Sequence, residues 1–506
     1  MAGSYDVVVI GGGPAGTAAS RLLAGWGHSV QLLTSHQPVD RTLAESLPPS
    51  CDKLFDLLGA KDAIDTAGFL RHEGNTVYWG HEQSRTTRFD HGRSGLQVLR
   101  ADFDRVLQAL ALDAGTDVRV GATVREATLP PNETPAESHQ ITVGYNYRDT
   151  PQRVRARFVL DCSGRAGVIA RRGYREHPAN RTTLALVASW RGLMPWRVNG
   201  HYDTLVESYG DGWAWSVPVN HERRFVTVMV DPRATQLERG SSIAGCYEAE
   251  LRKTTVLRRA LAEAVQHSPA WACDASVYHA STYGGPGWLL VGDAGSFIDP
   301  LSSFGVKKAL ASGWLAAVVA HTSLTDPALA GMALDLYNRR EREVHDALSR
   351  QSAAFFGSGA GGHRHPFWTG RSEHTESLDE SSTVSEHLVE ALRVDDEVRT
   401  AFEQIRRSRA FTLRRGDDVQ IASAPVITVQ RVVLQDQLLC SGWPPSGQGV
   451  RYLRGVDLLQ IMELAPHYHQ VPDLYEAYNQ ACPPVSLSDF LSAFAVLVAK
   501  RALVWA

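Results

Sequence analysis

A short run of β-branched and apolar residues, Tyr5–Ile10, opens directly into Gly11-Gly12-Gly13-Pro14-Ala15-Gly16. No other feature of this chain restricts its fold as strongly. The run predicts a buried parallel strand. Ala15, Ala18, Ala19, Leu22, Leu23 and Trp26 follow at helical spacing until Gly27, and Val30–Leu33 supplies a second strand. A GxGxxG inside such a βαβ unit predicts a dinucleotide-binding fold. Gly11 permits the tight turn, Gly13 lets the backbone approach a pyrophosphate, and Gly16 lets helix pack on strand. Pro14 and Ala15 open a helix whose free N–H groups and positive dipole end suit phosphate. Thr34 stands where an acidic residue commonly holds the ribose hydroxyls.

A second landmark points to the dinucleotide being FAD. Gly292-Asp293-Ala294 ends an apolar strand, and Asp299-Pro300 precedes a helix expected from about Ser302 to Ala320. An aspartate there suits ribityl hydroxyls, and the helix start, at Gly305 and Val306, suits the flavin pyrimidine edge. Arg100, at the head of a further helix, is placed to reach the phosphates or the flavin edge.

Composition narrows the function classes. Lys plus Arg is 51 and Asp plus Glu is 55, a formal net charge of −4, which predicts neither a nucleic-acid partner nor an anionic membrane. Six scattered cysteines (Cys51, Cys162, Cys246, Cys273, Cys440, Cys482) form no CxxC, and no HExxH occurs, so no metal site is expected. The longest apolar stretch, Leu491–Ala499, ends at Lys500 and Arg501, short of the ~20 residues a span needs. The N-terminus has no basic segment before its apolar run and reads as a first strand. A cytoplasmic protein is expected.

Taken together, GxGxxG, Arg100-Ala-Asp102-Phe103-Asp104, Asp161-Cys-Ser-Gly164-Arg165 and Gly-Asp-Ala with Asp-Pro resemble the FAD-dependent aromatic-hydroxylase superfamily across residues 5 to 355. Glu45-Ser-Leu-Pro-Pro-Ser50, Trp213-Ala-Trp215-Ser-Val-Pro218 and Asp299-Pro-Leu-Ser-Ser-Phe-Gly305 are similar to its flavin-dependent halogenases. In that family the tryptophan pair walls off the flavin from the substrate; plain core packing accounts for the same alternation. Halogenases also carry a lysine in Gly-Phe-x-x-Lys-x-Gly-x-x-x-x-Trp-Gly. Here Gly68 to Gly80 follows that outline with His72 at the lysine position and Trp79 before the last glycine. An imidazole does not present an ammonium at neutral pH. These departures resemble the peptidyl tryptophan hydroxylases that mature tryptophylquinone cofactors.

The resemblance implies an α/β fold: an FAD-binding Rossmann-like domain, an inserted β-sheet substrate domain, and a mainly helical C-terminal region. The expected divisions are 1–180 plus 276–355 for FAD, 181–275 for substrate, 356–410 for a linker or lid with a helix, and 411–506 for a small module resembling a winged helix. Helical spacing is also read over Thr235–Ser268 and Leu388–Arg407, and a breaker-rich loop from Gly357 through His363 and His365.

The implied reaction is hydroxylation of an aromatic ring through a flavin C4a-hydroperoxide, with tryptophan in a peptide or protein as substrate. O2 is the co-substrate, and NAD(P)H or a separate flavin reductase is the reductant. A halogenase of a free or carrier-bound aromatic is the alternative, and a flavoprotein accessory factor without turnover is another. His72 is the first candidate acid/base, its ordinary pKa of ~6.5 suiting both directions; a hydrogen-bonded structural histidine is the other reading. Glu45, Ser46 and Glu207 are further candidates, and Trp79, Trp213 and Trp215 are expected to line the substrate pocket.

Overall fold

The computed structural model describes residues 3–36, 41–80, 85–131, 140–178, 181–192, 202–235, 237, 240–372, 392, 394–440, 443–444 and 449–506. The chain divides into two compact units, Met1–Glu376 with Val429–Arg431, and Ser377–Thr428 with Val432–Ala506.

In the first unit, Gly3–Ile10 is the centre of a parallel sheet, flanked by Val30–Thr34 on one side and Thr150–Asp161 on the other. Asp117–Val120 and Trp288–Leu290 extend it in parallel. Val7, Val8 and Val9 have no solvent exposure, as strands covered on both faces require. The helix Pro14–Gly25 leaves the glycine turn and packs against Arg100–Asp113 and Gly305–Thr325. Apolar side chains of all three helices, among them Ala18, Phe103, Leu107 and Leu310, share a core with Leu47 and Phe55.

A second sheet covers the flank. Its order is Val265–Gln266, Leu184–Arg191, Arg223–Val230, Gly212–Pro218, Thr204–Tyr209, Gly74–Tyr78, Arg85–Arg88, with Trp271–Asp274 also on Leu184–Arg191. Period-two alternation gives it two apolar faces. Leu186, Ala188, Val226 and Val228 pack against Tyr247, Leu251 and Leu257 of the helices Ile243–Leu251 and Val256–Ala260. Ala185, Val187, Trp213 and Met229 face the other way, toward Trp79, Phe356 and Trp368. This sheet is not confined to 181–275. Gly74–Tyr78 joins it in parallel with Thr204–Tyr209, a pairing of strands too distant in sequence for alternation alone to reveal.

The loop expected from Gly357 is instead helical. Ala330–Gly362 is one helix, and Pro366–Ser372 forms another. Glycine disfavours helix by about 1 kcal/mol, but here packing overrides it: a Cβ on Gly359 would stand 2.6 Å from the Trp368 ring. His363 is half-buried rather than solvated, with Nε2 3.0 Å from Ser208 Oγ.

In the second unit, Asp396–Arg407, Leu458–Leu464, Val471–Ala481 and Leu487–Ala499 enclose a core that includes Ile405, Leu474, Tyr478, Phe490, Phe494 and Leu497. Asp396–Arg407, within the stretch expected to be helical, packs into this core; residues 388–391 and 393 of that expected helix lie outside the described residues. Gln420–Ile427 and Val432–Leu439 form a hairpin, and Leu503–Trp505 pairs with Leu413–Arg415.

Candidate active site

A cavity of about 350 Å3 opens at the carboxyl ends of the parallel strands, where ligands bind in open α/β sheets. It joins the glycine turn (Gly11, Gly13, Pro14, Ala15), Thr34 and Ser35, the loop residues Glu45 and Ser46, Arg100, Asp293, and Pro300, Gly305 and Val306. Thr204, Val206, Trp213, Trp215 and Val217 close it from the second sheet. Gly16 and Gly292 lie beneath this lining.

The turn is built to keep side chains out. Gly11 has φ +107°, and a Cβ there would stand 2.3 Å from the Cys162 carbonyl oxygen. A Cβ on Gly16 would meet the Gly11 oxygen at 1.9 Å, so strand and helix touch backbone to backbone. Gly13 caps the helix Pro14–Gly25 without any side-chain hydrogen bond, which leaves N–H groups turned to the cavity. The Arg100 guanidinium lies within van der Waals reach of a Cβ on Gly13, at 3.4 Å. It donates to both oxygens of Asp104, at 3.1 and 3.0 Å, and lies 3.7 Å from Glu45 Oε1. Two carboxylates thus orient one cation over a helix N-terminus, an arrangement that fits a pyrophosphate.

Asp293 sits at the strand end beside Lys308, whose Nζ is 3.6 Å from its Oδ1. Lys308 is buried and donates to the Gly292 and Ser296 carbonyls, so it stiffens the loop carrying Asp293 from below. Asp161 is also structural: its carboxylate accepts from the Ser163, Ile169 and Ala170 amides and fixes the turn beneath the cavity. The residues present fit FAD: Gly13 and Arg100 suit its phosphates, Asp293 its ribityl hydroxyls, and Trp213 and Trp215 an apolar wall for its ring system, while Thr34 and Ser35 bring hydroxyls to the place of the acidic ribose contact.

Besides Gly16 and Gly292, three expected site residues do not line this cavity. His72 is buried, with Nδ1 3.0 Å from the Gly74 carbonyl, Nε2 3.3 Å from Ser46 Oγ, and its ring edge-on to Phe89. Burial holds its pKa below the ordinary imidazole value, so the ring is neutral at pH 7. Nδ1 faces the Gly74 carbonyl, and Nε2 lies 3.3 Å from both the Leu47 carbonyl and the Ser46 hydroxyl, so His72 is held within this turn beside Ser46 and outside the cavity lining. Glu207 points to the opposite face of its strand from Thr204 and Val206. Its oxygens accept the amides of Thr255, Val256 and Leu257 at 2.6–3.1 Å, capping the helix Val256–Ala260. Parity along Thr204–Tyr209 carried that signal. Trp79 lies behind Trp213 and donates to the Phe355 carbonyl at 2.9 Å.

Asp299 belongs to the Asp-Pro motif, but the motif assigns it no role of its own. It lines the cavity at 5% exposure, and among the described residues its one hydrogen bond is from the Leu301 amide at 3.3 Å. Burial pushes its pKa up to about 7, against a weaker lowering by Arg371. Glu45 is likewise held above the usual carboxylate range by desolvation, partly offset by Arg100.

The site and fold define a flavoprotein. The family described as FAD binding domain matches residues 4–352, and the chain belongs to it. Tryptophan 2-halogenase from Chondromyces crocatus is 29% identical over 349 residues, 66% of this chain and 65% of that protein. The chain therefore aligns with just under two thirds of that relative's length. Among solved structures, the flavin-dependent halogenase CmlS superposes with a TM-score of 0.74 at 21% identity, over 99% of this chain and 96% of that one. QhpG, a peptidyl tryptophan dihydroxylase essential for tryptophylquinone cofactor biogenesis, superposes with a TM-score of 0.66 at 22% identity, over 99% and 100%. The described residues contain no group of three or more His, Cys, Asp or Glu that could hold a metal, and no helix among them is long and apolar enough to cross a membrane.

Proposed function

We propose that this chain is an FAD-dependent monooxygenase that hydroxylates an aromatic ring, with a tryptophan side chain of a peptide or protein as substrate. The observation carrying this reading is the cationic inventory of the cavity. Among the described lining residues the only cation is Arg100, turned to the phosphate end, and no lysine is present. The position that holds the halogenases' lysine is His72, neutral and bonded to backbone away from the cavity.

The chain's own groups divide the work. Arg100 and the amides after Gly13 hold the phosphates, and Asp293 holds the ribityl hydroxyls. FAD, when bound and reduced by NAD(P)H or a separate flavin reductase, supplies the activation of dioxygen. Trp213, Trp215, Val206 and Val217 exclude water and offer flat apolar surface to an aromatic ring. Asp299, with a carboxyl that changes charge near neutrality, holds and returns a proton at its free oxygen. The Ser46 hydroxyl, beside His72, orients a polar group of the substrate. QhpG's acting on peptidyl tryptophan supports a protein-borne substrate and a role in quinone-cofactor biogenesis.

The tryptophan pair and the halogenase relatives favour halogenation as the second reading. One aerobic turnover decides between them. Reduced enzyme is mixed with bromide, free tryptophan and a tryptophan-bearing candidate partner protein, and the products are weighed by mass spectrometry. Oxygen added to the partner's tryptophan is the expected result; bromine on either substrate overturns the hydroxylase reading.

A further inference from the structure

Four indoles run in contact from the cavity through the body of the first unit. Trp213 and Trp215 alternate along one strand and stack, with ring centroids 5.0 Å apart and planes at 28°. Trp79 stands 6.1 Å from Trp213, and Trp368 stands 5.2 Å from Trp79. Trp368 in turn stacks on the half-buried His363 at 5.2 Å. Packing alone is satisfied by any large apolar side chains; here every position is among the most easily oxidised of side chains.

Their N–H groups are also graded. Trp213 Nε1 is buried with no partner among the described residues, a costly arrangement in a folded interior. Trp79 Nε1 donates to one carbonyl, that of Phe355. Trp368 Nε1 donates to two, those of Tyr209 and Gly210, each at 3.1 Å. An indole that loses an electron becomes a cation whose positive charge is concentrated toward the N–H, and carbonyl dipoles stabilise it. The electron hole therefore runs downhill from Trp213 through Trp79 to Trp368, away from the cavity.

We propose that Trp215, Trp213, Trp79 and Trp368 form a one-electron relay that drains oxidising equivalents from the cavity toward His363. The relay rests on the reading that FAD occupies the cavity. Hydroxyl radical left by one-electron cleavage of stray peroxide in the cavity is the oxidant it disposes of. Each radical takes one electron through the indoles and one proton from cavity water and becomes one water. Outside, a thiol gives up one electron and one proton for each radical, and two such sulfur radicals join as a disulfide, so no indole is consumed.

Flash photolysis of the FAD-loaded, oxidised protein tests this, because excited flavin takes one electron from the nearest indole. The expected result is a persistent indole radical cation whose decay quickens in proportion to added ferrocyanide. W79F and W368F should return to the ground state at least an order of magnitude faster and lose the ferrocyanide dependence, while prompt quenching of flavin emission stays as in the wild type. A wild-type radical indifferent to ferrocyanide overturns the relay without reference to any variant. So do W79F and W368F proteins that melt and decay like the wild type. Failure of the protein to retain flavin absorbance on reconstitution removes the FAD reading, and the relay with it.

Discussion

Replacing Asp299 by Asn leaves the shape and the acceptor for the Leu301 amide in place and removes only the ionisation. In the folded protein burial raises this carboxyl from 3.8 to about 7. Between those values the folded state holds a proton that the unfolded state has released, so stability falls as pH rises from about 4 to 7 and is level above. At about 1.36 kcal/mol per pH unit the full effect is about 4 kcal/mol. For a unit spanning Met1–Glu376, with an unfolding entropy near 0.8 kcal/mol per kelvin, that converts to roughly 5 °C in Tm. D299N should therefore melt roughly 5 °C above the wild type at pH 8, the gap closing as pH falls toward 4. His72 works in the opposite sense, its lowered pKa costing stability below about 6.5, but it is common to both proteins and cancels in their difference. Thermal melts of both proteins in matched buffers from pH 4 to 8 measure it. A gap that does not vary with pH would refute the argument that burial keeps Asp299 protonated near neutrality, and with it the proton-holding role.

Two further outcomes follow from the same geometry. R100A loses a charge-assisted contact worth about 1.5–3 kcal/mol, so FAD affinity in a fluorescence titration should fall by roughly one to two powers of ten, with secondary structure by circular dichroism unchanged. E207Q weakens the cap on Val256–Ala260 by about 1–3 kcal/mol; Tm should drop while turnover per folded molecule stays the same. Lost turnover at unchanged Tm would return Glu207 to the catalytic set.

What could be read along the chain is what short-range physics decides. The strand, turn and helix of residues 5–25 follow from β-branched residues, three spaced glycines and a proline within one segment, because positive φ and close backbone approach are properties of the turn itself. The same holds for Gly292-Asp293-Ala294 and for the alternation of Trp213 and Trp215. Gly13, Arg100, Asp293 and Val306, picked out from such local segments, line one cavity. Four features were not legible in this way. Gly74–Tyr78 crosses into the second sheet, the glycines of 357–362 sit in a helix, His72 turns inward onto Gly74 and Ser46, and Asp299 stands buried and nearly unpartnered. Each depends on which distant surface covers the residue: Thr204–Tyr209 for the strand, the Trp368 ring for Gly359, the cavity wall for Asp299. Local propensities differ by about 1 kcal/mol, while full burial of one large apolar side chain contributes about 1.5–3 kcal/mol. Tertiary packing therefore decided these positions, and with them which of the candidate acids and bases reach the chemistry.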